Sequence, residues 1–318
     1  DAFLHHITTS CSHDTHNTQD TIETIITQTL MKNIKLLIVA LLGTTLSAFA
    51  QCPDNEVWYS TVDGMKIELG NIRGISSHTF ADSNGVIRFD HDIEIISTER
   101  GESGDTNIYF TDCANLKSIT LPDSVTEVGD RAFAGCVNLQ TITLPNEVVK
   151  IGNEAFDGCT SLQSVIIPAG LEYIGGRAFH NCTSLQSITL PDGIEYIRDG
   201  AFEGCSNLKT FISQYASEDG NALIVNGTLT AFALGSGVAE YIITEEVTRI
   251  GRATFDGYTA LRNVVIPATV TEIGNDAFTD CKSLSSVVFE ESTAPISLAD
   301  LFIVVIPFKK SINFYLYI

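Results

Sequence analysis

The chain of 318 residues carries a formal charge of −21. Its first fifty residues hold four acids and two bases, so residues 51–318 keep 35 acidic against 16 basic side chains, a balance of −19. That excludes nucleic acid and anionic lipid as the main partner and fits an exported protein or a basic ligand.

Residues 1–30 are polar, histidine-bearing and precede the first methionine, Met31; they are read as untranslated sequence in frame and set aside. From Met31 the sequence MKNIKLLIVALLGTTLSAFA has a basic start at Lys32 and Lys35, an apolar centre near Leu36–Leu42 and a small-residue exit at Ala48-Phe49-Ala50. This pattern predicts a secretory signal peptide over 31–50, cut between Ala50 and Gln51. Its apolar centre is too short to favour a membrane anchor, and Gln51 before Cys52 lacks the small residue of a lipoprotein site. No spanning segment follows it. Residues 51–90 hold strand-like runs and the sole tryptophan, Trp58. They are expected to form a small β-rich cap, since an uncapped coil exposes core and a sheet edge.

From there a 23-residue period sets the architecture. Cysteines stand at 113, 136, 159, 182 and 205, and again at 281; phenylalanines keep the same interval at 110, 133, 156, 179, 202, 255 and 278. Each unit reads C-x-x-L-x-x-[IVF]-x-[LI]-P and then [VIL]-x-x-[IV]-G-x-x-A-F-x-[GN]-C, with local departures. Repeats of this length predict a solenoid whose units bury their apolar faces only against their neighbours. In the second unit, Leu139, Ile142 and Leu144 point inward and Thr141 and Thr143 outward, as in a short parallel strand. Pro145 then ends pairing, Val148 and Ile151 re-enter the core, and Gly152 allows a turn that a β-carbon would hinder.

The solenoid is expected over 91–302, starting with a degenerate coil (Ile93, Ile96, Phe110) interrupted by a polar stretch at 98–107. Between Cys205 and Tyr258, 30 extra residues carry Asn226-Gly227 between apolar runs, a hairpin signal. This insertion at about 213–243 either projects from the solenoid edge or fills a wider coil. Residues 303–318 carry no acid and no repeat residue, and read as a truncation or frame artefact, or else as a C-terminal cap.

The cysteine column predicts no disulfides. Equivalent residues of stacked coils have parallel Cβ vectors about 4.8 Å apart, whereas a disulfide needs converging Cβ atoms at roughly 3.5–4.5 Å. Nor can one column surround a tetrahedral metal. The cysteines are read as buried, reduced plugs, with Cys52 alone a candidate for pairing or reactivity. Among the histidines of 51–318, His78, His91 and His180, none lies in a catalytic motif. Asp90-His91-Asp92 reads as a solvated strand end, and His180 as exposed and incidental. The chain is therefore read as non-enzymatic, with no cofactor or metal.

The unit CVNLQTITLPNEVVKIGNEAF (136–156) resembles the BspA-type leucine-rich repeat of oral and gut anaerobic bacteria, and the resemblance covers about 89 to 302. It implies a right-handed leucine-rich-repeat superhelix with one parallel β-sheet and short 3₁₀ or irregular segments opposite. It also implies surface display and adhesion, without catalytic residues. The asparagine of better-known leucine-rich repeats is replaced by Ser124, Glu147, Gly170, Gly193 and Thr269, so that bend must satisfy its backbone differently.

Two function classes follow. One is a non-catalytic surface adhesion protein that binds a host or neighbouring cell's protein or glycan. The other is a scaffold subunit of a bacterial cell-envelope assembly. The outward strand positions form hydroxyl-rich columns (Ser118, Thr141, Ser164, Ser187, Thr210, Asn263, Ser286) beside Thr120, Thr143, Ile166, Thr189, Ile212, Val265 and Val288. They are flanked by Lys117, Gln140, Gln163, Gln186, Lys209, Arg262 and Ser285. Lys117, Thr120, Gln140, Thr143, Gln163, Gln186, Thr189, Lys209, Asn226 and Arg262 are the candidate ligand-facing residues. Duplication of a solvated strand face would produce the same columns.

Overall fold

The computed structural model describes residues 52–68, 74–96 and 108–290, and the backbone of 313–316. The expected signal peptide and residues 1–30 lie outside the described residues. The cap is an antiparallel sheet of β1 (Glu56–Thr61), β2 (Ile75–Ala81) and β3 (Asn84–Phe89). Its alternation follows the sequence: Val57, Tyr59 and Thr61 are buried while Glu56, Trp58 and Ser60 face the other side. A two-residue strand, β4 (Ile95–Ile96), follows.

Each regular coil contributes one strand to a main sheet and a two-residue strand to the return side. These pairs are β5 (Leu116–Thr120) with β6 (Glu127–Val128), β7 (Thr141–Thr143) with β8 (Lys150–Ile151), β9 (Ser164–Ile166) with β10 (Tyr173–Ile174), and β11 (Ser187–Thr189) with β12 (Tyr196–Ile197). The next coil holds β13 (Thr210–Ile212), β14 (Ala222–Val225) and β15 (Thr228–Phe232). Then come β16 (Glu240–Ile242) with β17 (Arg249–Ile250), β18 (Asn263–Ile266) with β19 (Glu272–Ile273), β20 (Ser286–Phe289), and β21 (Asn313–Leu316). The fold is thus the expected repeat solenoid with parallel sheets, and among the described residues it contains no helix.

The return side is more regular than the sequence suggests. In place of 3₁₀ segments it carries a second parallel ladder, β4-β6-β8-β10-β12, paired as Val128 with Ile151 and Ile151 with Ile174. The reason is backbone satisfaction. Val128, Ile151 and Ile174 are wholly buried, so the flanking amides and carbonyls have only the equivalent groups of adjoining coils to bond. The next turn is tight, and Arg131, Glu154, Arg177, Ala253 and Asp276 all take φ of 54–60° there. Gly152 is required by close approach: a β-carbon would lie 2.6 Å from the Gly129 carbonyl carbon.

The core is columnar. Phe110, Phe133, Phe156, Phe179 and Phe202 stack with centroids 5.3–5.4 Å apart and planes within 6°, a spacing that suits offset aromatic stacking. The cysteines are free, as the column geometry requires. They are more than plugs. The thiols of Cys136, Cys159, Cys182, Cys205 and Cys281 each donate to the carbonyl of the phenylalanine 26 residues earlier, at 3.0–3.2 Å. At the bend lacking asparagine, Ser124 and Thr269 use their hydroxyls on the Ile93 and Val247 carbonyls. Cys52 is also free and buried, with its thiol pushed up to about 12 by burial, which removes it as a reactive candidate.

The insertion is a coil in its own right. The hairpin β14–β15 turns at Asn226 (φ 51°) and Gly227 (φ 74°), as Asn-Gly predicts. It does not project. Strand β15 pairs with β17 in the return ladder, and the Gly227 carbonyl accepts from Thr248 and Arg249. Leu223, Val225 and Ala231 pack into the core of the preceding coils, while Ala222, Leu229 and Phe232 pack into that of the following ones. The hairpin is therefore a wall between two cores. Counted from Phe211 to Tyr241, both in the inward strand column, it belongs to one coil of 30 residues in place of 23. At the far end, β21 runs parallel to β20, the course of a C-terminal cap.

Candidate functional site

The main sheet runs in three hydrogen-bonded segments: β2-β3-β1-β5-β7-β9, β11-β13 and β16-β18-β20-β21. Register places the outward residues in rows. Ser118, Thr141 and Ser164 are direct partners, as are Thr120, Thr143 and Ile166. Ser187 pairs with Thr210 and Thr189 with Ile212. The flanking column is a backbone ladder, in which the Gln140 amide donates to Lys117, Gln163 to Gln140 and Lys209 to Gln186. Neighbouring side chains in each row sit about 4.8 Å apart, the strand spacing.

Lys117, Thr120, Thr143, Gln163, Gln186, Thr189, Lys209 and Arg262 are exposed, and Gln140 is half-buried. Among the described residues none of these side chains takes a hydrogen bond or ion pair. Lys117, Thr120, Gln140, Thr143 and Gln163 share the first segment, Gln186, Thr189 and Lys209 belong to the second, and Arg262 to the third. Asn226 is exposed but sits at the hairpin turn against the return ladder; the structure does not bring it to the sheet face. The interruption is local chemistry: the Phe211 amide donates to Gly220 at 2.8 Å, so loop 213–221 takes the edge of β13 that a neighbouring strand would occupy.

Two additions extend this face beyond the residues expected from the sequence. Counting back 23 from Asn263 and Val265 gives Glu240 and Ile242, and Ile242 is 68% exposed on this face. The cap also extends the same face, since Trp58 lies opposite Thr120 and Ser60 opposite Ser118. The Ser60 and Ser118 hydroxyls bond at 2.7 Å. Alternation in 56–61 is legible in the sequence, but its antiparallel partner is not.

The turn and return side differs in kind. Several of its side chains pair across coils: Lys150 with Glu127, Arg131 with Glu154 and Arg177 with Glu203, while His180 Nδ1 lies 2.6 Å from an Asp157 carboxylate oxygen. His180 is therefore neither exposed nor incidental, because the equivalent slots above and below it present carboxylates. Across the hairpin coil, Arg249 reaches Asp199 at 2.7 Å and Arg252 reaches Glu203 at 3.3 Å, bridging the two cores. Each partly exposed pair is worth roughly 0–1 kcal/mol. Among the described residues Asp256 makes no such bond. Burial, then the charges of Glu203, Asp280 and Asp276, raise its carboxyl to about 6. Among the described residues no group of His, Cys, Asp or Glu could hold a metal ion, and no helix is long and apolar enough to cross a membrane.

Stacked coils with parallel strands and a phenylalanine–cysteine core define a leucine-rich-repeat solenoid. The BspA type leucine-rich repeat region matches in six copies over residues 106–218 and 229–299, and the chain belongs to this family. The gap between the matched stretches falls on the loop and β14 of the long coil. Among solved structures, a leucine-rich repeat protein from Bacteroides ovatus is similar at 25% identity over 73% of this chain and 72% of its own, with a TM-score of 0.47. One from Eubacterium ventriosum is 18% identical over 75% and 73%, with a TM-score of 0.46. The pneumococcal vaccine antigen PcpA is 16% identical over 68% of this chain and 62% of its own, with a TM-score of 0.47. No curated protein matches the chain.

Proposed function

We propose that this chain is an exported, surface-displayed binding protein that mediates adhesion and holds its ligand along the main-sheet face, without catalysis. Export rests on the signal-peptide pattern of 31–50, with 51–90 as cap and 91–302 as the binding solenoid. One observation carries the reading. Lys117, Thr120, Gln140, Thr143, Gln163, Gln186, Thr189 and Lys209 stand in rows on the sheet face and make no side-chain hydrogen bond or ion pair among the described residues, whereas the opposite side carries the internal pairs Lys150–Glu127, Arg131–Glu154 and Arg177–Glu203. A row of free amides and hydroxyls offers many modest hydrogen bonds to an extended ligand, each worth about 0.5–1.5 kcal/mol net.

The test is the triple variant Gln140→Glu, Gln163→Glu, Gln186→Glu against immobilised extracellular-matrix proteins, cell-surface glycans and the producing cell's own envelope. All three positions are solvent-accessible, so the variant should fold normally while losing tenfold or more in capture of a neutral or acidic ligand. Unchanged capture would remove the sheet face as the site. Capture by the producer's envelope alone would make the chain a scaffold subunit.

A further inference from the structure

The N-terminal end of the sheet face carries a feature that hydrogen-bonding rows alone do not require. Trp58 stands on the outward side of β1, half-buried, directly opposite Thr120. Its indole N–H donates to Glu56 Oε2 at 2.6 Å, and Arg88 Nε donates to the other oxygen of that carboxylate at 2.6 Å. The indole N–H and the Arg88 guanidinium hold the Glu56 carboxyl below its usual range. Indole, carboxylate and guanidinium thus form a closed set. The ring is fixed in orientation, its only donor is used, and the local charges cancel. Among the described residues no other aromatic ring stacks on it.

Beside this ring, the row continues through Thr120 and Thr143, with Thr141 and Ser164 in the next row and the Gln140 and Gln163 amides at the flank. All of these are neutral. A fixed aromatic plate at the head of neutral hydroxyl and amide rows matches one ligand chemistry best. Sugar rings present a face of weakly positive C–H groups, which the negative face of an indole attracts, and an equatorial rim of hydroxyls that both donate and accept. A protein ligand instead needs a desolvated anchor pocket with a complementary charged rim, whereas here the hydroxyl and amide rows are neutral and their flanking column holds one cation, Lys117. Polyanionic glycans meet the chain's charge of −21. We infer that Trp58 is the stacking platform of a subsite for neutral polysaccharide, with Thr120, Thr143, Gln140 and Gln163 hydrogen-bonding the sugar units that follow. This rests on the sheet-face reading above and narrows its ligand class.

Trp58 is the only tryptophan, so its emission reports on the subsite directly. The protein is titrated with neutral hexasaccharides of β-linked glucose, α-linked glucose and mannose, with heparin, and with soluble matrix proteins. The expected result is a saturable shift in emission with at least one neutral series, strengthening with chain length and absent with heparin. Calorimetry on Trp58→Phe, which keeps a ring on β1, should show binding weakened several-fold, and on Trp58→Ala tenfold or more. Silence of Trp58 towards every neutral sugar, or unchanged calorimetric binding in Trp58→Ala, would overturn the inference. If the triple glutamine variant still lost protein capture, the sheet-face reading would stand without the glycan subsite. If neither responded, both would fall.

Discussion

Phe179 offers the sharpest test of how the core is organised. Its ring is fully buried, stacked on Phe156 at 5.3 Å and on Phe202 at 5.4 Å. Truncation to alanine removes the ring's transfer energy and leaves a cavity that its rigid neighbours cannot close, about 3–5 kcal/mol. Within that loss, the two stacking contacts account for about 0.5–1.5 kcal/mol each. A domain is stable by only ~5–15 kcal/mol, so the change is large. Because coils touch only their neighbours, and because the hairpin divides the core, the loss should fall on the N-terminal block. Urea unfolding followed by Trp58 emission, which samples the cap, should shift to markedly lower denaturant in Phe179→Ala. The far-ultraviolet circular-dichroism transition, which averages both blocks, should broaden. Phe255→Ala, on the other side of the wall and stacked on Phe278 at 5.0 Å, should leave the Trp58 transition nearly in place. Equal displacement of the Trp58 transition by both variants would refute the divided core.

Two other outcomes concern titrating groups. Burial raises the thiols of Cys159, Cys205 and Cys281 to about 12 and that of Cys113 to about 11. The native protein should therefore resist alkylation at pH 8 and label fully only in denaturant; since the folded state favours the neutral thiol, stability should fall as pH rises from about 9 through these values. Rapid native labelling at Cys182 would contradict the buried column. Asp256 is raised in the folded state to about 6, so its contribution is greatest below its unfolded value and is lost as pH climbs through 6. Because the side chain is partly solvated, Asp256→Asn should raise the thermal midpoint at pH 7.5 by only about 2 °C and flatten its dependence between pH 4 and 6.5. A lowered midpoint at pH 7.5 would show the carboxylate to be stabilising.

What the sequence reveals here follows from what repeats. The 23-residue interval exposes the core columns, because each phenylalanine and cysteine must meet its own copy one coil away; the absence of disulfides follows from the same parallel geometry. The return ladder is hidden because two-residue strands such as Lys150–Ile151 are too short to show an alternation. Asn226-Gly227 announces a turn, but nothing in the pair says that its strands face two cores. His180 looked incidental because its slot varies in sequence, yet the slots of neighbouring coils supply Asp157 and Glu203, and the hydrogen bond to Asp157 exists only once coils stack. The pairing of β1 with β5 is similarly a matter of tertiary register.

The cysteine column breaks at two successive slots, Gly235 and Tyr258, and both lie at the long coil. A cysteine in this column has two tasks: to fill a small buried space, and to donate to a carbonyl of the coil before. Alanine could do only the first. Where the preceding coil has 23 residues, the carbonyl is that of phenylalanine, and a thiol reaches it at 3.0–3.2 Å. At the coil after the long one the slot holds Tyr258, although Phe232 again stands 26 residues earlier. The Tyr258 ring packs on Phe232, and its hydroxyl, farther out, donates to the Val238 carbonyl at 2.7 Å and meets Ser236 at 3.0 Å. The long coil keeps β13 from pairing with β16. The lengthening therefore does three things at once: it divides the core, interrupts the sheet face, and separates the Lys117–Lys209 rows from Arg262. A ligand that spans the whole face must bridge the break at loop 213–221. One that binds at the Trp58 end meets the longest unbroken run of paired strands, β2-β3-β1-β5-β7-β9. On the reading proposed above, the N-terminal half is where a repeating ligand would be held in register.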